Sequence, residues 1–234
     1  RVIIMHIPDG FLTLLMSAIG WAVAISLLAF SFWRLNRDFN EKQIPLMAML
    51  TAMFFAAQMV NYPIIGGTTA HLLGGPILAI TLGPYAALVS MTVILLIQAF
   101  FFGDGGILTL GANIVNMGIV GVFIPWLLFI AVRRIRSTRK GLVVGAFLGA
   151  FLGDLAAAIS AALMLGFSFP IFPYSIGFVL LVIGIHHSII GVIEGLATVV
   201  ILFLINGVRP DLLAIERVVP SITGDWTPKH KEVL

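Results

Sequence analysis

The sequence predicts an all-α integral membrane protein, a bundle of about seven transmembrane helices with its N-terminus outside and its C-terminus cytoplasmic. Three observations lead there. Of the 234 residues, 60% are hydrophobic and 10% charged, with mean hydropathy +1.14, against roughly 25% charged in a soluble domain. Apolar runs of helical-span length recur, without the ten-residue alternation of a membrane barrel. Lys and Arg are distributed so that one orientation places nearly all of them on one side.

Taken in order, the apolar segments cover residues 11–33, 45–62, 71–102, 111–132, 141–165 and 174–205. The third is too long for one span. As a single helix it would measure about 48 Å, against a hydrocarbon core of about 30 Å, and Gly83-Pro84 interrupts it. Splitting it there gives seven spans, with residues 72–82 as a short or re-entrant helix. Such a helix is tolerated at membrane depth where protein or a cavity surrounds it. The positive-inside rule favours the split. The loop "RRIRSTRK", with Arg133, Arg134, Arg136, Arg139 and Lys140, then faces the cytoplasm together with "RLNRDFNEKQ" and the tail, and only Arg1 is outside. The chain divides into an N-terminal segment (1–10), a transmembrane helical domain (11–206) and a cytoplasmic tail (207–234). Residues 1–10, "NYPIIGGTTAHLLGG" and "FGDGGILTLGAN" gather on the outer face.

The sequence also excludes some chemistry. It contains no cysteine, hence no disulfide, thiolate metal site or cysteine nucleophile. It contains no Gly-x-x-x-x-Gly-Lys-Ser/Thr phosphate loop. Energy for any transport must come from an ion gradient or another subunit.

Metal-binding chemistry is concentrated near the start. If Met5 is the first residue, its amine, the His6 amide nitrogen and His6 Nδ1 can hold one metal in a five-membered and a six-membered chelate ring. A deprotonated amide is a strong-field donor that favours square-planar Ni(II) or Cu(II). The fourth corner is left for a second imidazole. His71, in "GGTTAHLLGG", is placed to supply it, because Gly66, Gly67, Gly74 and Gly75 let the backbone bend and approach closely. Taken singly, His6 also fits an interfacial histidine and His71 a helix cap or headgroup contact. Pro8-Asp9-Gly10 reads as a chain reversal with Asp9 as N-cap of the first helix.

Gln58, Asn61, Gln98, Asn113 and Asn116 lie at membrane depth, where a buried amide must find partners. Asn61 and Asn113, toward the outer ends of their spans, and Thr68 are the candidates to support ligating imidazoles. Ordinary interhelix bonds are the alternative. Asp154 and Glu194 are costly intramembrane charges. His186 and His187 precede Glu194, and His187 and Glu194 stand two turns apart on one helix face, as in a proton relay or a structural pair. Their depth separates them from the outer cluster. Gly141, Gly145, Gly149 and Gly153 form a small-residue ridge that lets another helix approach closely, a candidate subunit interface if that helix belongs to a second subunit and an internal contact if it belongs to this chain.

Four motifs in order, "MHIPDGFL", "GGTTAHLLGGP", "LIQAFFFGDGG" and "LGANIVNMG", resemble the CbiM/NikM family over residues 5–206. These are the substrate-binding (S) components of energy-coupling-factor importers for nickel and cobalt. The resemblance implies a metal site of the Met5 amine, the His6 amide and imidazole nitrogens, and His71. It implies capture of Ni(II) at the outer face, with Co(II) as the alternative, and no organic cofactor. The chain would be a transporter subunit rather than an enzyme, in a prokaryotic inner membrane. Its partners would be a transmembrane coupling (T) subunit, cytoplasmic ATP-binding-cassette ATPases and a small accessory membrane subunit, with no nucleic acid. Arg1 to Ile4 precede the family's starting Met and would block its amine if retained. Two other classes stay open: a stand-alone proton-coupled permease using His187, Glu194 and Asp154, and a vitamin-binding subunit with an aromatic-lined pocket.

Overall fold

The structure, a computed structural model, describes residues 6–38, 43–64, 68–136 and 138–208. Met5, Gly66, Gly67 and the tail from 209 onward lie outside the described residues. The elements are α1 (Leu14–Asp38), α2 (Ile44–Gln58), β1 (Asn61–Ile64), β2 (Thr68–His71), α3 (Gly75–Leu82), α4 (Pro84–Phe102), α5 (Leu110–Ile135), α6 (Arg139–Gly166) and α7 (Ile176–Val208). Five of these helices, α1 and α4 to α7, are long and apolar enough to cross a membrane, while α2 is a shorter apolar helix.

The third apolar segment breaks where the sequence predicts. Gly83 adopts φ +86° and Pro84 opens the next helix, a pairing that stops one helix and starts another. All eight residues of α3 are buried, so this short helix is enclosed by protein, as helix ends within a membrane require. The start of α1 differs from expectation. Thr13, not Asp9, caps it, with its Oγ1 accepting from the Met16 N–H at 3.2 Å; Asp9 is committed elsewhere. Ser168 Oγ in turn accepts from the Thr13 N–H at 3.2 Å, tying the first span to the end of α6.

Between α2 and α3 the chain forms an antiparallel hairpin, with Asn61 opposite His71 and Ile64 opposite Thr68. Helix α5 is α-helical at its ends but π-helical over Ile114–Val120, and Pro125 lies inside its second half.

The glycine ridge of α6, a candidate subunit interface from the sequence, packs against residues of this same chain. A methyl on Gly149 would stand 3.0 Å from the Pro125 carbonyl, and one on Gly145 3.2 Å from the Phe129 ring. Gly153 lies against the Pro125 ring and Gly141 against Arg136. The small residues let α6 approach the proline-bearing stretch of α5 closely. The opposite face of α6 packs on α7, where Gly191 and Gly195 receive Phe151 and Phe147. This antiparallel register sets Asp154 beside His187.

Candidate metal centre

The N-terminal segment is threaded into the bundle by its backbone. The Ile7 carbonyl accepts from Thr109 Oγ1 at 2.6 Å, Asn113 Nδ2 at 3.1 Å and the Gly106 N–H at 3.1 Å. The Ile7 N–H donates to Asn113 Oδ1 at 3.1 Å. Asn113 thus reads both polar groups of Ile7, as a neighbouring strand would. Asp9 extends the seat, its carboxylate accepting from the N–H groups of Ile107 at 3.0 Å and Thr109 at 3.1 Å. The "GDGG" motif makes room. Gly105 has φ +90°, and a methyl on it would lie 2.9 Å from His6 Cβ; one on Gly106 would overlap Asp9.

This seat buries His6 to 4% exposure. Its Nδ1 lies 3.4 Å from the Asp104 carbonyl and 3.5 Å from Asp104 Oδ1, and its Nε2 is buried without a hydrogen-bond partner. Across from it stands His71, at the end of β2, with ring centroids 5.3 Å apart and planes at 81°. His71 Nδ1 donates to the Leu72 carbonyl at 3.0 Å, which leaves the lone pair on Nε2. Burial pushes both imidazoles down to about 4, with the neighbouring His6 adding to the effect at His71. Both are neutral at pH 7, the form that binds metal.

The two rings open on a cavity of about 60 Å³ that is also lined by Asn113, Asn116, Met117, Asp154 and His187. Asp154 and His187 thus share a cavity with the histidines, contrary to the separation in depth expected from sequence. Their pairing differs too. His187 Nδ1 is 3.2 Å from both Asp154 carboxylate oxygens, whereas Glu194 accepts from the N–H groups of Leu73 at 3.0 Å and Gly74 at 2.6 Å. The α6–α7 packing, rather than spacing along α7, selects the partner of His187. His186 turns away, its Nδ1 meeting the Val182 carbonyl at 3.2 Å.

Of the supporting candidates, Asn113 acts through the Ile7 backbone rather than on an imidazole. Asn61 faces His71 across the hairpin, but its Nδ2 donates to the Met59 carbonyl at 3.1 Å. Thr68 opens β2 opposite Ile64, and its side chain lies outside the described residues. Asp104, Gly105, Gly106 and Thr109 had no assigned role from sequence; the adjacent glycines after Asp104 are the signal that a chain passes close by. Among the described residues, no three His, Cys, Asp or Glu side chains converge as a metal set.

Comparison with known proteins bears on the family and the fold. The chain is 39% identical over 209 residues to a putative fused nickel transport protein NikMN of Archaeoglobus fulgidus, an alignment covering 89% of this chain and 68% of the relative. It is 37% identical to the cobalt transport protein CbiM of Geobacter sulfurreducens, covering 90% of this chain and 62% of that one. A crystal structure of a transition metal transporter matches with TM-score 0.82 at 34% identity, over 87% of this chain and 93% of the other. The CbiM profile, described as cobalt uptake substrate-specific transmembrane region, matches residues 6–212. This chain, with seven helices among its described residues and its N-terminal segment seated in the bundle, belongs to the CbiM family of membrane transport components.

Proposed function

We propose that this protein is the metal-capturing membrane subunit of an energy-coupling-factor importer, with Ni(II) as its substrate and Co(II) as the alternative. One observation carries the reading: His6, on a segment pinned by Asp9 and Asn113, is buried beside His71 with ring centroids 5.3 Å apart. In a form that begins at Met5, the amine, the His6 amide nitrogen and His6 Nδ1 bind the ion, and His71 Nε2 closes the plane. Four nitrogens in a plane suit low-spin Ni(II), while tighter-binding Cu(II) must be excluded by availability. Both imidazoles are already neutral, so only the amine and amide give up protons. Capture takes place at the outer face. Lacking a phosphate loop, the chain relies on a transmembrane coupling subunit and cytoplasmic ATPases, and a small accessory membrane subunit fits alongside them.

The relatives' names support both metals, nickel in the fused protein and cobalt in the Geobacter one. The planar donor set tips the choice to nickel. The test compares detergent-purified forms starting at Met5 and at Arg1 by Ni(II) titration. The Met5 form is expected to bind about 100-fold more tightly, roughly 2.7 kcal/mol, with His71→Ala weakening it comparably. Equal affinity of the two forms would refute the amine ligand. A second reading, the proton-coupled permease, draws on the Asp154–His187 pair that lines the cavity. Metal uptake by the chain alone, without coupling subunits, would favour it.

A further inference from the structure

We infer that Glu194 is a positioning residue for metal capture, holding the His71-bearing turn in register with the seat of His6 through a buried relay of hydrogen bonds. The inference rests on the two-imidazole reading above.

Glu194 belongs to α7 and is 2% exposed. Its carboxylate accepts from two successive backbone N–H groups, those of Leu73 and Gly74. Gly74 is the N-cap of α3, whose first donors have no partner within the helix, and Leu73 stands just before it. Gly74 sits at φ +77° with its Cα against the Phe54 ring, so a side chain there would both strain the backbone and overlap that ring. The carboxylate thereby fixes the turn two residues after His71.

The relay continues from the same turn. The Leu73 carbonyl accepts from Gln58 Nε2 at 2.7 Å, and Gln58 Oε1 accepts from Gln98 Nε2 at 3.1 Å. Both glutamines are fully buried. The Gln98 carbonyl then accepts from the Asp104 N–H at 2.9 Å, and the Asp104 carbonyl faces His6 Nδ1. Five segments of the chain are joined in this way: α7, the α3 turn, α2, α4 and the loop under His6. The glutamine pair bridges the two histidine segments through the protein interior.

Glu194 touches neither imidazole, so its role is separable from ligation. Glu194→Gln keeps the shape but turns an amide NH2 toward a backbone N–H. Gln58→Leu cuts the relay at its next link, away from α7. Both variants, and His71→Ala, are compared with wild type in the Met5 form for Ni(II) affinity, visible ligand-field spectrum and thermal unfolding in detergent. The expected result is an affinity lower by about tenfold in Glu194→Gln and in Gln58→Leu. At saturating metal both retain the wild-type absorption band, because the ligands are unchanged, whereas His71→Ala shifts it. Wild-type affinity in either folded relay variant overturns the inference, as does a shifted band at saturation. Full affinity combined with lost metal uptake in Glu194→Gln would instead assign the residue to proton movement. Failure of wild type itself to bind Ni(II) or Co(II) would remove the underlying reading rather than this one.

Discussion

Asp9 shows how a residue outside the proposed ligand set can position a member of it. Its carboxylate holds the N–H groups of Ile107 and Thr109, so the segment bearing His6 is fastened three residues downstream of the histidine. The side chain is exposed, which reduces what these bonds contribute through solvent competition. Removing them in Asp9→Ala is expected to lower Ni(II) affinity by roughly tenfold, about 1.4 kcal/mol, with little change in thermal midpoint. Isothermal titration and a melting curve on the same preparation check both halves. Sequence reading identified Asp9 as a turn residue but gave it to the wrong helix. Asp and Asn accept from backbone N–H groups in caps and in long-range contacts alike, and nothing local distinguishes the two. The same limit applies to Glu194: its spacing from His187 was visible, but its partners lie 120 and 121 residues away in sequence.

At the level of elements, helices whose boundaries are chemically punctuated were the legible ones. Gly83-Pro84 split α3 from α4 because glycine and proline act on the backbone directly. The hairpin of Asn61–Ile64 and Thr68–His71 was read only as a glycine-rich stretch, since strands of four residues are too short for alternation to register. The π-helical stretch of α5 left no sequence signal of its own. The glycine ridge was legible as a close-packing face, yet its neighbour was not, because small residues say how near a partner comes and not which chain it belongs to. Its occupation by Pro125 gives a prediction. Gly153→Leu would drive a side chain into the proline ring, and overpacking of this kind costs roughly 1 to 3 kcal/mol. A lowered unfolding temperature with the oligomeric state unchanged from wild type is the expected result.

For the whole molecule, the arrangement brings one N-terminal segment, one hairpin end and the α6–α7 pair around a single small space. The sequence placed His6 and His71 together through topology alone, by counting spans and basic loops, and the folded chain has them in contact. The orientation in the membrane can be measured directly, because the chain has no cysteine. Single cysteines at Leu108, exposed beside the seat of the N-terminal segment, and at Arg136, in the basic loop, should respond oppositely to an impermeant maleimide. Leu108→Cys is expected to label on intact cells and Arg136→Cys only after permeabilisation. The reverse pattern would invert the proposed direction of capture.

The depth at which the two imidazoles are buried adds a constraint of a different kind. His6 is 4% and His71 8% exposed, so under the proposed capture an aqua ion reaches them only by giving up waters, each nitrogen displacing one in turn. Loading would then be paced by how readily the ion exchanges water. Ni(II) exchanges more slowly than Co(II), so a brief exposure to both metals would load more cobalt than the equilibrium affinities dictate.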